Sequence, residues 1–269
     1  MKLFNGVLAV AAVVLLSIVL MSRRANSQSA PASQNLPVRA VVVELFTSEG
    51  CSSCPPADAL LAQLDREQRL GNAEIIALEE HVDYWDQQGW RDPFSSAQWT
   101  ERQRDYAAAF RNDSVYTPQM VVDGRAEFEG SSQIRVRSAI AEAVREPKAE
   151  VTLLSHSTSD GKARVSIEVK MLPAQESQKA QIWLAVTETG LHSNVSRGEN
   201  AGEDLHHAAV MRRLRKVGET APNRDVAYSG EHDVQLDPGW KKENLRVVAF
   251  VQNAKTRHIL GAASVRVAP

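Results

Sequence analysis

The residues best equipped for chemistry are Cys51 and Cys54, the only two cysteines in a chain of 269 residues. They stand three apart as Cys51-Ser52-Ser53-Cys54, so no disulfide framework holds the fold and any bridge between them is local. Closing so short a ring stabilises a protein by only about 2 kcal/mol through chain entropy. The spacing therefore suits redox exchange or metal binding better than stapling. Cys51 is expected to attack as the thiolate, and Cys54, one turn further in and more shielded, to resolve the mixed disulfide. If Cys51 sits at or just before a helix N-terminus, unpaired N–H groups and the positive end of the helix dipole favour its thiolate. Pro55 and Pro56 work against that advantage, because a helix beginning there leaves Cys51 in the preceding loop.

A second group is H-V-D-Y-W-D-Q-Q-G-W, residues 81–90. It follows a β-like run, and in α/β sheets the carboxyl ends of adjacent strands border one cleft, so His81 and Asp83 are expected beside Cys51. Three readings of His81 stay open: a proton shuttle for the exchanging thiols, a third ligand that joins Cys51 and Cys54 around copper(I) or zinc, or simple packing under the loop. Trp85, Trp90 and Trp99 read as core or cleft wall. His192, His206 and His207 lack metal-binding spacing and are expected in solvent or a hairpin. Arg212, Arg213, Arg215 and Lys216 read as a solvated strand face. R-G-E-N-A-G, residues 197–202, has the composition of a structured turn with no chemistry assigned to it.

The elements that position these groups follow from hydrophobic period. Residues 38–46, V-R-A-V-V-V-E-L-F, are nearly continuously apolar, as in a strand covered on both faces. Ala57, Leu60, Leu61 and Leu64 recur at helical spacing. Residues 73–80 form a second strand. Asp92 followed by Pro93 reads as an N-cap with proline at the first helical position, opening a helix that runs to about Phe110. Residues 119–122 form a short strand, Asp123-Gly124 a hairpin turn, and residues 125–129 the return. Ser131 or Ser132 caps a last helix with Val136, Ile140, Ala143 and Val144 on one face. The expected order is β-α-β-α-β-β-α. After Pro147 the β-branched runs 151–155, 163–171, 181–188, 245–252 and 259–267, with an ambiguous 207–217 read as strand, suggest an antiparallel sheet or small sandwich. The expected domains are 1–37, 38–147 and 148–269.

Lys2 precedes an apolar run from Val7 to Met21 and then a polar stretch, which reads as an export signal or an uncleaved inner-membrane anchor plus linker. The chain is expected to be periplasmic or secreted. Beyond residue 30 the balance is 28 basic to 33 acidic side chains, which argues against a sequence-independent grip on nucleic acid.

Y-T-P-Q-M-V-V-D-G, residues 116–124, resembles the segment of glutaredoxins and other thioredoxin-like proteins in which a cis-proline faces the C-x-x-C. The resemblance implies a cis Thr117–Pro118 bond, with Pro118 shaping a substrate groove flanked by Thr117 and Gln119. Gly130-Ser131-Ser132 is similar to the place where those proteins hold a glutathione carboxylate, although plain helix capping explains it as well. Together with T-S-E-G-C-S-S-C-P-P-A-D, H-V-D-Y-W-D, G-W-R-D-P-F, R-Q-R and R-G-E-N-A-G, the chain from Arg39 onward resembles the bacterial secreted domain-of-unknown-function family 1223. That resemblance implies an α/β, thioredoxin-like N-terminal domain and a β-rich, sandwich-like C-terminal one, and it lends no substrate. The functional expectation is a thiol-disulfide oxidoreductase acting on protein or low-molecular-weight thiols and disulfides without a bound cofactor. The alternatives are a copper- or zinc-handling protein using Cys51, Cys54 and His81, or a non-catalytic binding module.

Overall fold

In the computed structural model, which describes residues 37–173, 180–221 and 224–267, the run R-A-V-V-V-E-L-F-T forms the central strand β1 (Arg39–Thr47). The expected leader lies outside the described residues. Strand β1 is apolar at Ala40–Val43, Leu45 and Phe46 because both its faces are covered, with Glu44 and Thr47 as buried polar exceptions. Val41, Val43 and Leu45 pack against Leu60, Leu61 and Leu64 of α1 (Pro55–Glu67) and Val136 and Ile140 of α3 (Gln133–Ala143). On the opposite face Val42 shares an apolar cluster with Trp99, and Phe46 packs edge-on against Tyr106, both from α2 (Ala97–Phe110). Each fully buried leucine contributes roughly 1.5–3 kcal/mol relative to exposure.

Strand β3 (Ala73–His81) runs parallel to β1 in a register from Arg39 opposite Ala73 to Thr47 opposite His81, with α1 as the crossover. A two-residue strand, β2 (Arg69–Leu70), lies on β3. On the other side of β1, β4 (Gln119–Val122) pairs antiparallel, followed by β5 (Ala126–Glu129). Asp123 and Gly124 between them take φ of +50° and +64°, as the hairpin reading requires. A Cβ at Gly124 would lie 2.0 Å from the Arg257 carbonyl oxygen, so the turn needs glycine for space as well as for dihedral.

Residues after 147 add four strands to the same sheet: β8 (Ala180–Glu188), β11 (Val210–Glu219), β13 (Leu245–Asn253) and β14 (Ile259–Arg266). The order is β14-β13-β8-β11-β3-β1-β4-β5, a large mixed sheet joined where Val210 of β11 lies opposite Glu79 of β3. The boundary at 147 thus marks a change of element type, and the sheet runs through it. A three-stranded antiparallel sheet, β6 (Glu150–Ser157), β7 (Lys162–Lys170) and β12 (Val226–Gln235), covers one face of the added strands. Val165, Ile167 and Val169 of β7 pack there with Ile182, Leu184, Val247 and Ala249. The ribbon β9 (Leu191–Asn194) and β10 (Asp204–His207) completes the described elements used below. Among the described residues no helix is long and apolar enough to cross a membrane.

One boundary differs from expectation. Helix α2 begins at Ala97, with the Ser96 hydroxyl accepting from the Gln98 amide at 3.2 Å, and not at Pro93. The Asp92 carboxylate that looked like a cap is engaged elsewhere.

Candidate active site

Cys51 and Cys54 form a disulfide in the turn between β1 and α1. The Cys51 amide donates to the Ser48 carbonyl and the Cys54 amide to the Cys51 carbonyl, both at 3.1 Å. Helix α1 begins at Pro55 with Cys54 as its N-cap. Pro55 and Pro56 have no N–H, and the amides of Ala57 and Asp58 both donate to the Cys54 carbonyl, at 2.8 and 3.1 Å. The helix N-terminus therefore offers the sulfurs no amide from its first four residues, which corrects the expectation of a thiolate stabilised by free N–H groups. The expected exposure of Cys51 also needs correction for the disulfide form: both cysteines are 0% exposed, while Ser52 and Ser53 face solvent.

The cover comes from the turn at residues 197–202. Asn200, itself buried, donates through Nδ2 to the carbonyls of Glu49 at 2.9 Å and Cys51 at 3.1 Å. The Glu199 carboxylate accepts from the Ser52 amide at 3.2 Å and hydroxyl at 2.6 Å, and these bonds hold its carboxyl below the usual range. The segment with no chemistry of its own thus holds the C-x-x-C loop from 150 residues away.

Below the loop lies a polar cluster that the strand period explains. Ile75, Ala77, Glu79 and His81 alternate onto the face of β3 that carries α1, and Thr47 of β1 shares that face. The Thr47 hydroxyl donates to Asp58 of α1 at 2.6 Å. Burial first, and the charge of Glu79 second, push the Asp58 carboxyl up to about 7, against the opposing pull of His207 and Thr47. His207 of β10 lies between two carboxylates, with Nδ1 3.1 Å from Glu79 Oε1 and Nε2 3.1 Å from Glu49 Oε1. Burial depresses its imidazolium, but Glu79, Glu49 and Asp58 outweigh this and hold it well above the ordinary histidine value. His81 Nδ1 is 2.7 Å from Asp92 Oδ2. Burial lowers its proton affinity, Asp92 raises it by more, and the net direction is upward. Asp92 also accepts the amides of Glu49 and Phe94, both at 2.8 Å, and Trp90 Nε1 donates to Glu49 Oε2 at 2.7 Å.

His81 is wholly buried, and the donor atoms gathered around its free nitrogen belong to Glu79 and His207, so the set Cys51, Cys54 and His81 is not what the fold brings together here. His207, expected in solvent or a hairpin, is in the ribbon but buried; His192 and His206 are exposed and stacked on each other. Asp83 turns to α2, accepting from the Thr100 hydroxyl at 2.6 Å. Thr117–Pro118 is cis, and the Thr117 hydroxyl accepts from Trp85 Nε1 at 2.9 Å. Gln119, expected to flank a substrate, is 0% exposed, and its side chain bridges Gln103 of α2 and Glu127 of β5. Ser132 makes no side-chain cap, and the Ser131 amide and hydroxyl bind the Glu129 carboxylate, so the glutathione-like position is filled by the chain's own anion. Of the basic run, Arg213, Arg215 and Lys216 are exposed, while Arg212 lies over the Phe94 and Trp240 rings.

On the opposite face of the sheet Arg102 of α2 ties Glu44 of β1, Glu80 of β3 and Gln252 of β13 together, and Tyr106 donates to Glu44. Burial and the neighbouring Glu44 charge, opposed by Arg102, leave the Glu80 carboxyl well above its ordinary range.

Comparison with known proteins extends beyond the site. No curated protein matches the chain. Among solved structures it is similar to protein AGR_C_4864 from Agrobacterium tumefaciens, with 24% identity and a TM-score of 0.62 over 84% of this chain and 93% of that one. It is also similar to HBP35 of Porphyromonas gingivalis, with 17% identity and a TM-score of 0.66 over 86% of this chain and 76% of that one. At these identities the likeness is one of fold. The family described as Protein of unknown function (DUF1223) matches residues 42–252, which take in the C-x-x-C loop, the polar cluster and the covering turn, and the chain belongs to that family.

Proposed function

We propose that the protein is an exported, thioredoxin-like thiol-disulfide oxidoreductase, periplasmic or secreted, whose working groups are Cys51 and Cys54. The strand order β3-β1-β4-β5, with α1 crossing between parallel β1 and β3 and α3 packed on the same face, supports the thioredoxin-like reading. The observation that carries the function is the closed C-x-x-C disulfide at the β1–α1 turn, one helical turn from Asp58, whose carboxyl burial and the Glu79 charge push up to about 7. A structural staple needs no such group; thiol exchange does, because each cycle must deliver and remove a proton at a buried sulfur.

In the oxidising direction a substrate thiolate attacks Cys51 Sγ. The Cys51–Cys54 bond breaks, and its electron pair leaves on Cys54 Sγ, which takes a proton from Asp58. A second substrate thiolate then attacks the substrate sulfur of the mixed disulfide and expels Cys51 as thiolate. The substrate dithiol becomes a disulfide and the cysteine pair gains two electrons. The reducing direction is the same path reversed, with Cys51 attacking and Cys54 resolving. Substrates are protein or low-molecular-weight thiols and disulfides that meet the loop beside Pro118 and Thr117 once the covering turn lifts. Cys54→Ser is expected to accumulate mixed disulfides with a model dithiol or disulfide peptide, and Cys51→Ser almost none. Preferential trapping by Cys51→Ser, or by neither variant, would overturn the assignment.

A further inference from the structure

We propose that Glu79, His81 and His207 form a binding site for a zinc-type divalent cation directly below the C-x-x-C loop, separate from the cysteines. Each of the three brings a donor atom within 4.8 Å of the other two. Glu79 Oε1 lies 3.1 Å from His207 Nδ1 and 3.8 Å from His81 Nε2. An ion held tetrahedrally at about 2.0–2.2 Å places its donors roughly 3.4 Å apart, between the two distances from Glu79 Oε1. His81 Nε2 is buried, has no hydrogen-bond partner among the described residues, and faces the Glu79 carboxylate. An orphaned imidazole nitrogen in a polar interior calls for a ligand.

The outer contacts point the same way. The nitrogen of each histidine turned away from the proposed ion meets a carboxylate: His81 Nδ1 that of Asp92 at 2.7 Å, and His207 Nε2 that of Glu49 at 3.1 Å. Such contacts fix the tautomer and ring orientation that a metal-bound histidine requires. Glu49, Glu79 and Asp92 make the surroundings electronegative enough for a dication. Two imidazoles and one carboxylate suit zinc, with the fourth position left to water.

The test uses the full chain in its disulfide form, stripped with a chelator, dialysed and titrated with zinc chloride by calorimetry, with metal content read by mass spectrometry. One zinc per chain is expected. His81→Ala should weaken binding by at least about tenfold, while Cys51→Ser/Cys54→Ser and His206→Ala bind as the parent does. That pattern separates the site from the cysteines of the proposed exchange reaction and from the exposed His192–His206 pair. Should His81→Ala fail to fold, the parent, reduced and then loaded with cobalt(II), should show tetrahedral absorption without a thiolate-to-metal band. No stoichiometric binding, loss of binding in His206→Ala or in the cysteine variant, or a thiolate band would each overturn the proposal.

Discussion

Asn200→Ala removes the side chain that joins the covering turn to the disulfide loop. Two bonds disappear, at 2.9 Å to the Glu49 carbonyl and 3.1 Å to the Cys51 carbonyl. The Cys51 carbonyl keeps the Cys54 amide, so its loss is modest, whereas the Glu49 carbonyl loses its Asn200 donor in a buried setting. A stranded buried acceptor costs about 1–3 kcal/mol and a lost bond about 1 kcal/mol, so the variant should be less stable by about 2–4 kcal/mol in urea titration. If reductant reaches the sulfurs only when this loop opens, and if the same energy is lost from the closed state, the open population rises roughly 30-fold for 2 kcal/mol. The assay is the rate of disulfide reduction by a water-soluble phosphine in native buffer, quenched by alkylation and read by mass. Glu199→Ala, which removes only exposed contacts to Ser52, should change the rate much less. A destabilised Asn200→Ala whose disulfide is reduced at the parent rate would refute the idea that this turn governs access.

Asp58→Asn tests the buried carboxyl: its folded value of about 7 against 3.8 means that the stability lent by the protonated form is full below pH 3.8 and is lost as pH rises to about 7. The variant should match the parent near pH 4 and exceed it at pH 8, by up to about 4 kcal/mol at about 1.4 kcal/mol per pH unit, measured by denaturant titration across that range. Arg102→Ala leaves Glu44 and Glu80 buried without their cation and should cost about 3–5 kcal/mol in the same measurement, since breaking a buried pair strands its partners.

Local pattern made much of the frame legible. The apolar runs of β1 and β3, the Leu60-Leu61-Leu64 face of α1 and the Asp123-Gly124 turn are decided by neighbours in sequence. What was not legible depends on distant partners. Asp92 before Pro93 has the form of a helix cap, yet its carboxylate is taken by His81 and two amides, and the helix starts four residues later. Glu79 and His81 did leave a signal, as two polar residues at inward positions of a strand whose other inward positions are apolar. His207 left none: it reaches Glu79 only because β11 joins β3 through Val210. The role of Asn200 likewise exists only after chain closure. Strand β12 leaves little trace in the sequence because V-A-Y-S-G-E-H-D-V-Q is polar at half its positions, as befits an outer strand with one face in solvent.

The central claim is that Cys51 and Cys54 exchange electrons with thiols and do not merely staple a turn. Equilibrating the full chain in graded thiol–disulfide buffers at pH 7, then alkylating and weighing it, gives the reduction potential of the pair directly. The account predicts a reversible two-electron transition in the range of working oxidoreductases, about −120 to −270 mV. A potential below about −300 mV, the range of structural disulfides, would contradict it.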